Sequence, residues 1–315
     1  MIRAQSAKGP KRRAFTAGLV REWRQYKFVY FMAIPMLAYY ILFCYAPMYG
    51  ATIAFRNFVP KLGINGSPWV GLKHFQSFFN NVYFERLLTN TVLLSVYNLL
   101  FGFPAPIVLA IMLNEVRQNW FKRTVQTISY LPHFISVMVI CGMIVDFTSS
   151  SGIISDLLAL FGIKRQTMLL NPALFRPIYV ISEIWQGVGW GSIVYLAALT
   201  AIDPTLYEAA RIDGAGKLKQ IWHVTLPGIT PTIVVMLILK LGAMMSVGSD
   251  KILLLYNSNT YSTADVISTF VYRKGLLENN FSFSTAVGLF NSAINFALVI
   301  GANYISRRIN ETSLW

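Results

Sequence analysis

The stretch YEAARIDGAGKLKQIWHVTLP, residues 207–227, is polar and broken by two glycines. It lies between two apolar runs, IVYLAALTAI (193–202) and TIVVMLILKLGAMMSV (232–247). Flanks this greasy point to membrane spans, and composition supports that reading. Of the 315 residues, 55% are hydrophobic and 13% charged, where a soluble globular protein carries about 25% charged residues. The mean hydropathy is +0.51.

A bilayer-spanning helix needs roughly 20 mostly apolar residues. Six windows of that kind occur, at 28–48, 88–113, 128–147, 177–202, 229–247 and 284–304. Backbone groups in hydrocarbon must bond among themselves, and windows this long suit helices rather than the ten-residue alternating strands of a barrel. The expected fold is therefore all-α: a polytopic, multi-pass protein with six transmembrane helices over 28–305. A basic segment, 1–27, precedes them and a short tail, 306–315, follows. Prolines 35, 104, 106, 132 and 231 fall in or beside the windows and predict bends. In GVGWG, Gly187 and Gly191 stand four apart, a small-xxx-small face for close helix packing.

Net charge is +14. With the N-terminus inside, sixteen of the 27 Lys and Arg fall in cytoplasmic segments, ten in longer external ones, and Lys240 within a span. The positive-inside rule then predicts cytoplasmic N- and C-termini. Membrane topology accounts for most of the basic excess, so no nucleic-acid partner is inferred. Residues 1–13 read as unstructured. Phe15, Leu19 and Trp23, spaced four apart among basic residues, suit a helix lying on the inner leaflet. The first window is too long, and its basic lead too extended, for a signal peptide. Cys44 and Cys141 both fall within windows and suggest neither a disulfide nor a metal site.

The polar island itself, 203–227, carries orderly local signals. Asp203 can cap a helix whose first residue is Pro204, and Gly214 with Gly216 ends it. A second helical piece, KLKQIWHVTL, leads into Pro227 and the fifth window. A bare tether would need no such helix.

At this point the residues resemble a known pattern. Glu208, Ala209, Ala210, Gly214, Leu226 and Pro227 fit E-A-A-x3-G-x9-I-x-L-P of binding-protein-dependent ABC importer permeases, with Val224 at the Ile position as the one departure. The E-A-A-R-I-D-G-A form and the six-span layout look most like the carbohydrate-uptake branch. The resemblance implies a type I importer permease of the bacterial cytoplasmic (inner) membrane, whose loop 203–227 holds a coupling helix. It assigns ATPase coupling to Glu208, Ala209, Ala210, Asp213, Gly214, Leu226 and Pro227. It also implies a second, homologous permease subunit, two ATPase subunits and an extracytoplasmic solute-binding protein. This chain would be a transport subunit and not an enzyme, with ATP and Mg bound by the partner ATPase. Nothing in the sequence matches G-x-x-x-x-G-K-[ST]. The substrate implied is an oligosaccharide or polysaccharide; the long basic N-terminus with the aromatic-rich first external segment resembles permeases for oligosaccharides or polysaccharide fragments, some of them acidic.

Ionisable residues inside spans are costly and should be paired or face a cavity. Glu183 and Lys240 lie at similar depths below the external ends of their windows, so they are expected to bridge each other or to flank the path. Sugar recognition combines aromatic faces with amides and carboxylates, which adds Trp185, Gln186, Trp190 and Tyr195 as path candidates. Asn291 and Asn295 follow, from a polar stripe on the sixth window. Polar glue between helices would give the same stripe. A non-sugar ABC permease and a secondary transporter are the competing readings; the latter is disfavoured by the lack of internal repeats and of several intramembrane charges. A membrane enzyme would gather His, Asp or Glu at one face, and only three scattered histidines occur.

Overall fold

The computed structural model describes the backbone from residue 11 to 310 and side chains from 25 to 308. The described residues are almost wholly helical, with one isolated antiparallel bridge, Arg56 to Trp69.

Four segments are helices long and apolar enough to cross a bilayer: Gln25–Phe55, Phe84–Glu115, Lys217–Gly242 and Phe281–Arg308. The first belongs to α1 (Lys11–Tyr39) and the turns that continue it. The second joins α2 (Phe84–Tyr97) to α3 (Pro104–Glu115) through one wide turn. The expected third span is not straight. Helix α4 (Asn119–Tyr130), extended by a tight turn, and α5 (Val137–Phe147) meet at 104°. Pro132 sits in that turn, and Ser136 restarts the chain by accepting a hydrogen bond from the Val139 amide. The window expected as the fourth span is α6 (Pro172–Thr200), a continuous helix of 29 residues, about 43 Å long, which is not among those four. Arg176, Glu183 and the GVGWG stretch make it less uniformly apolar than the others.

Of residues 1–13, expected to be unstructured, 1–10 lie outside the described residues and 11–13 are helical. Helix α1 breaks at Tyr26 (φ −116°, ψ 23°), so the basic lead and the span are separate rods. The facing of Phe15, Leu19 and Trp23 lies outside the described side chains. Beyond Tyr26 the apolar side chains of α1 are mostly exposed, and the helix packs chiefly against its own continuation.

The remaining helices close on three clusters. Leu94, Ile140, Phe175, Tyr179 and Ile252 fill one, and Phe78, Leu87, Phe270 and Val287 a second. Ile107, Ala110, Tyr195, Leu199 and Ile229 join α3, α6 and α8 (Leu226–Gly242) in the third. Lipid is as apolar as these side chains, so tight packing rather than hydrophobic transfer holds such contacts. Packing is tightest at Gly189, where an added Cβ would lie 2.1 Å from the Ser129 carbonyl oxygen, and close at Gly191 against Pro106. Gly187 has open space, so the close approach falls two residues past the expected position.

Residues 248–283, between the fifth and sixth windows, wedge into the bundle. Lys251 and Ile252 on α9 (Ser249–Leu255) are buried, as are Asp265, Ile267 and Phe270 around α10 (Ile267–Tyr272). Asp265 is fully buried and anchors the wedge. It pairs with Arg273 at 2.7 Å and Arg86 at 3.2 Å, while Asn90 donates to its carbonyl and accepts from Arg176. The last helix, α11 (Phe281–Asn310), completes the bundle.

Candidate functional site

Between α6 and α8 the chain turns sharply into α7 (Pro204–Ile212). The Asp203 carboxylate accepts a hydrogen bond from the Thr205 amide at 2.9 Å, capping the helix as its sequence predicts. That bond holds the exposed carboxyl below its ordinary pKa. At the other end the Gly214 amide donates to Arg211 O at 3.0 Å and the Ala215 amide to Ala210 O at 2.8 Å. These two bonds form a Schellman motif, whose C′ residue takes positive φ. Gly214 supplies it at φ +74°, and an added Cβ there would meet nothing within 4 Å. The glycine is therefore required by backbone conformation, not by space.

The chain then returns along its own exit. Buried Gln220 donates to Ala215 O at 2.8 Å, and the Tyr207 and Thr225 hydroxyls lie 3.1 Å apart. Lys217 pairs with Glu115 at the end of α3, 2.5 Å away, tying the loop to the preceding polar turn. What remains outward is notable for its apolarity: Leu206, Ile212, Leu218 and Trp222 are exposed, Ile212 at 87%. Glu208, Ala209, Asp213 and Gly214 are exposed beside them, and Ala210 partly so. Leu226 and Pro227 open α8, directly before buried Ile229. A short, capped helix thus presents Leu206 and Ile212 beside exposed Glu208 and Arg211, the return segment adds Leu218 and Trp222, and the whole is tied to α3 and α8 at its base.

The path candidates separate into groups. Glu183, Gln186 and Asn291 line one polar recess, together with Ser246, Gly248, Ser249, Asp250, Lys251 and Ser268. Trp190 continues the same stripe of α6, seven residues on and about 10 Å along; it stacks on His133, ring centroids 4.7 Å apart, with Phe134 against its edge. Trp185 points elsewhere, into an apolar cavity with Met143, Phe147 and Ile181. Tyr195 is a buried core residue between α3 and α8. Asn295 holds the backbone ahead of α9, accepting from the Met245 amide at 2.9 Å and donating to Ser246.

The expected Glu183–Lys240 bridge does not form. Glu183 meets Lys251 at 2.6 Å instead, and Lys240 is exposed on α8. The contact is one of charge without the direction of a hydrogen bond. Sequence reasoning missed Lys251 because it was counted as part of an external loop. The apolar run ILLL after it, at 252–255, is the signal that could have placed it inside.

Residues 102–311 match the family described as "Binding-protein-dependent transport system inner membrane component". The chain belongs to this family. It is 47% identical over 292 residues to the polygalacturonan/rhamnogalacturonan transport system permease protein YteP of Bacillus subtilis, covering 92% of this chain and 91% of that one. Among solved structures it is similar to a chain of a bacterial ABC transporter involved in import of the acidic polysaccharide alginate. That match has 43% identity and a TM-score of 0.86, covering 93% of this chain and 99% of the other. A second structure, of the bacterial alginate ABC transporter in complex with an alginate pentasaccharide-bound periplasmic protein, matches with 42% identity and a TM-score of 0.87, with the same coverage. As a permease of this family the chain is a transport subunit of an ABC importer, and ATP hydrolysis resides in a separate chain. The fold is that of a type I importer permease, and family membership removes the secondary-transporter reading.

Proposed function

We propose that this chain and a second, homologous permease together form the translocation path for an acidic oligosaccharide or polysaccharide fragment delivered by an extracytoplasmic binding protein. The observation that carries the coupling half of this reading is the exposed apolar set of Leu206 and Ile212 on α7 with Leu218 and Trp222 on the return segment, the helix being capped at Asp203 and turned at Gly214. An amphipathic helix with a bare face is a groove-binding element. Its occupant is a cytoplasmic ATPase subunit, one of two, which binds the ATP and Mg. Glu208, Ala209, Ala210 and Asp213 make the contact; Gly214, Leu226 and Pro227 set its angle to α8. The family and the alginate and polygalacturonan systems named above support the substrate class. The exposed length of α1 suits a second permease packed along it. Both termini are cytoplasmic, in keeping with the distribution of Lys and Arg.

Substitution Gly214→Val tests the coupling. A β-branched residue at φ +74° is strained by more than the roughly 1–2 kcal/mol of an ordinary left-handed residue. The variant is expected to insert and assemble, yet to lose at least about tenfold in sugar uptake per ATP hydrolysed. Unimpaired, fully coupled uptake would contradict the proposal.

A further inference from the structure

The recess beside α9 has a donor–acceptor balance that specifies its ligand. It encloses about 300 Å³, at the lower end of the roughly 300–1,000 Å³ of small-molecule sites. Its charged groups are the carboxylates of Glu183 and Asp250 and the ammonium of Lys251. Lys251 is almost completely buried and already faces Glu183, so the charge left over is negative. The other lining groups are amides, Gln186 and Asn291, and the hydroxyls of Ser246, Ser249 and Ser268. Asn291 Oδ1 is buried with no hydrogen-bond partner. A buried acceptor without a donor carries a desolvation cost until something donates to it. A half-turn about the broad terminal torsion interchanges the oxygen and nitrogen of this amide, so the side chain that lines the recess can present Oδ1 to a donor there.

Resting on the proposed function, we infer that this recess is a subsite for an uncharged, hydroxyl-bearing face of a sugar ring, with Asn291 Oδ1 accepting a sugar hydroxyl. The sugar's carboxylates are excluded from it. A hydroxyl supplies the missing donor, whereas a carboxylate supplies none and meets two like charges against one neutralised cation. The Glu183–Lys251 pair positions the recess wall and does not bind the acidic group. An acidic substrate therefore turns its carboxylates away from this subunit's recess as it passes.

The test uses the complete importer in proteoliposomes, with a galacturonate pentasaccharide loaded on its binding protein. Asn291→Leu removes the acceptor and is expected to lower uptake per ATP about fivefold to tenfold, with binding-protein-stimulated ATP hydrolysis retained. Asn291→Ser keeps an uncharged acceptor and is expected to stay within about threefold of the natural protein. If Asn291→Ser loses uptake as fully as Asn291→Leu while still assembling, no sugar hydroxyl bonds to this position and the inference falls. If Asn291→Leu transports normally, Asn291 touches no substrate and the inference falls as well. Should the Asn291 variants not assemble, Gln186→Leu and Gln186→Ser on the opposite wall make the same comparison with the same expected contrast. Failure of the natural importer to take up the pentasaccharide would instead refute the proposed function, a separate outcome.

Discussion

Single residues carry the chemistry of this chain in three different ways. Asp203 acts through a hydrogen bond to its charged form, which depresses its pKa. A depressed carboxyl contributes stability above its unfolded pKa, about 3.9, and that contribution is lost as pH falls through the lower folded value. The protection factor of amides at the start of α7, which is corrected for the intrinsic pH dependence of exchange, should therefore be flat from pH 7 to 5 and fall only below about pH 4. In Asp203→Ala the protection is expected to be low throughout. Asp265 acts through burial. Asp265→Asn leaves Arg86 and Arg273 facing a neutral amide, and removing one partner of a buried pair costs about 3–5 kcal/mol. A pronounced drop in the thermal midpoint of the purified protein is expected, and an unchanged midpoint would show that the cluster is solvated. Gly214 acts through backbone conformation alone, since a side chain there has room but not the dihedral.

Elements divide into those whose reasons are local and those whose reasons are distant. Helix α7 was legible because Asp203, Pro204 and Gly214 set both ends within a dozen residues, and the observed cap and Schellman bonds are the ones those residue types form. The six windows were legible as apolar runs, but not their shapes. A run of hydrophobic residues does not distinguish a straight span from two helices meeting at 104°, and only Pro132 hinted at the break. The inward packing of segment 248–283 was not legible because Lys251 meets Glu183 on α6 and Asp265 meets Arg86 on α2, as well as nearby Arg273. Spacing along one window could not name those partners. The contact of α4 with α6 gives an element-level test. Gly189→Ala places a methyl against backbone that cannot yield, and overpacking of this kind costs about 1–3 kcal/mol. Lower yield and a lower thermal midpoint are expected for Gly189→Ala, but not for Gly187→Ala, where space is open.

At the scale of the whole molecule, the apolar length of α1 and the outward side of α7 are, among the described residues, two of the surfaces whose large apolar side chains are exposed. The first is covered by lipid or another permease and the second meets water unless something docks there. Helix α6 carries the stripe of Glu183, Gln186 and Trp190 and leads directly into the loop 203–227. Tyr207 on α7 meets Thr225 just ahead of α8, and Lys217 pairs with Glu115 at the end of α3, so the loop is tied to both neighbouring helices. The most direct measurement places a photo-crosslinking residue at Ile212, the most exposed apolar position on α7. In the assembled importer, the predicted adduct joins Ile212 to an ATPase subunit and forms from the cytoplasmic side. An adduct with the solute-binding protein, or none with any ATPase subunit, would contradict the account.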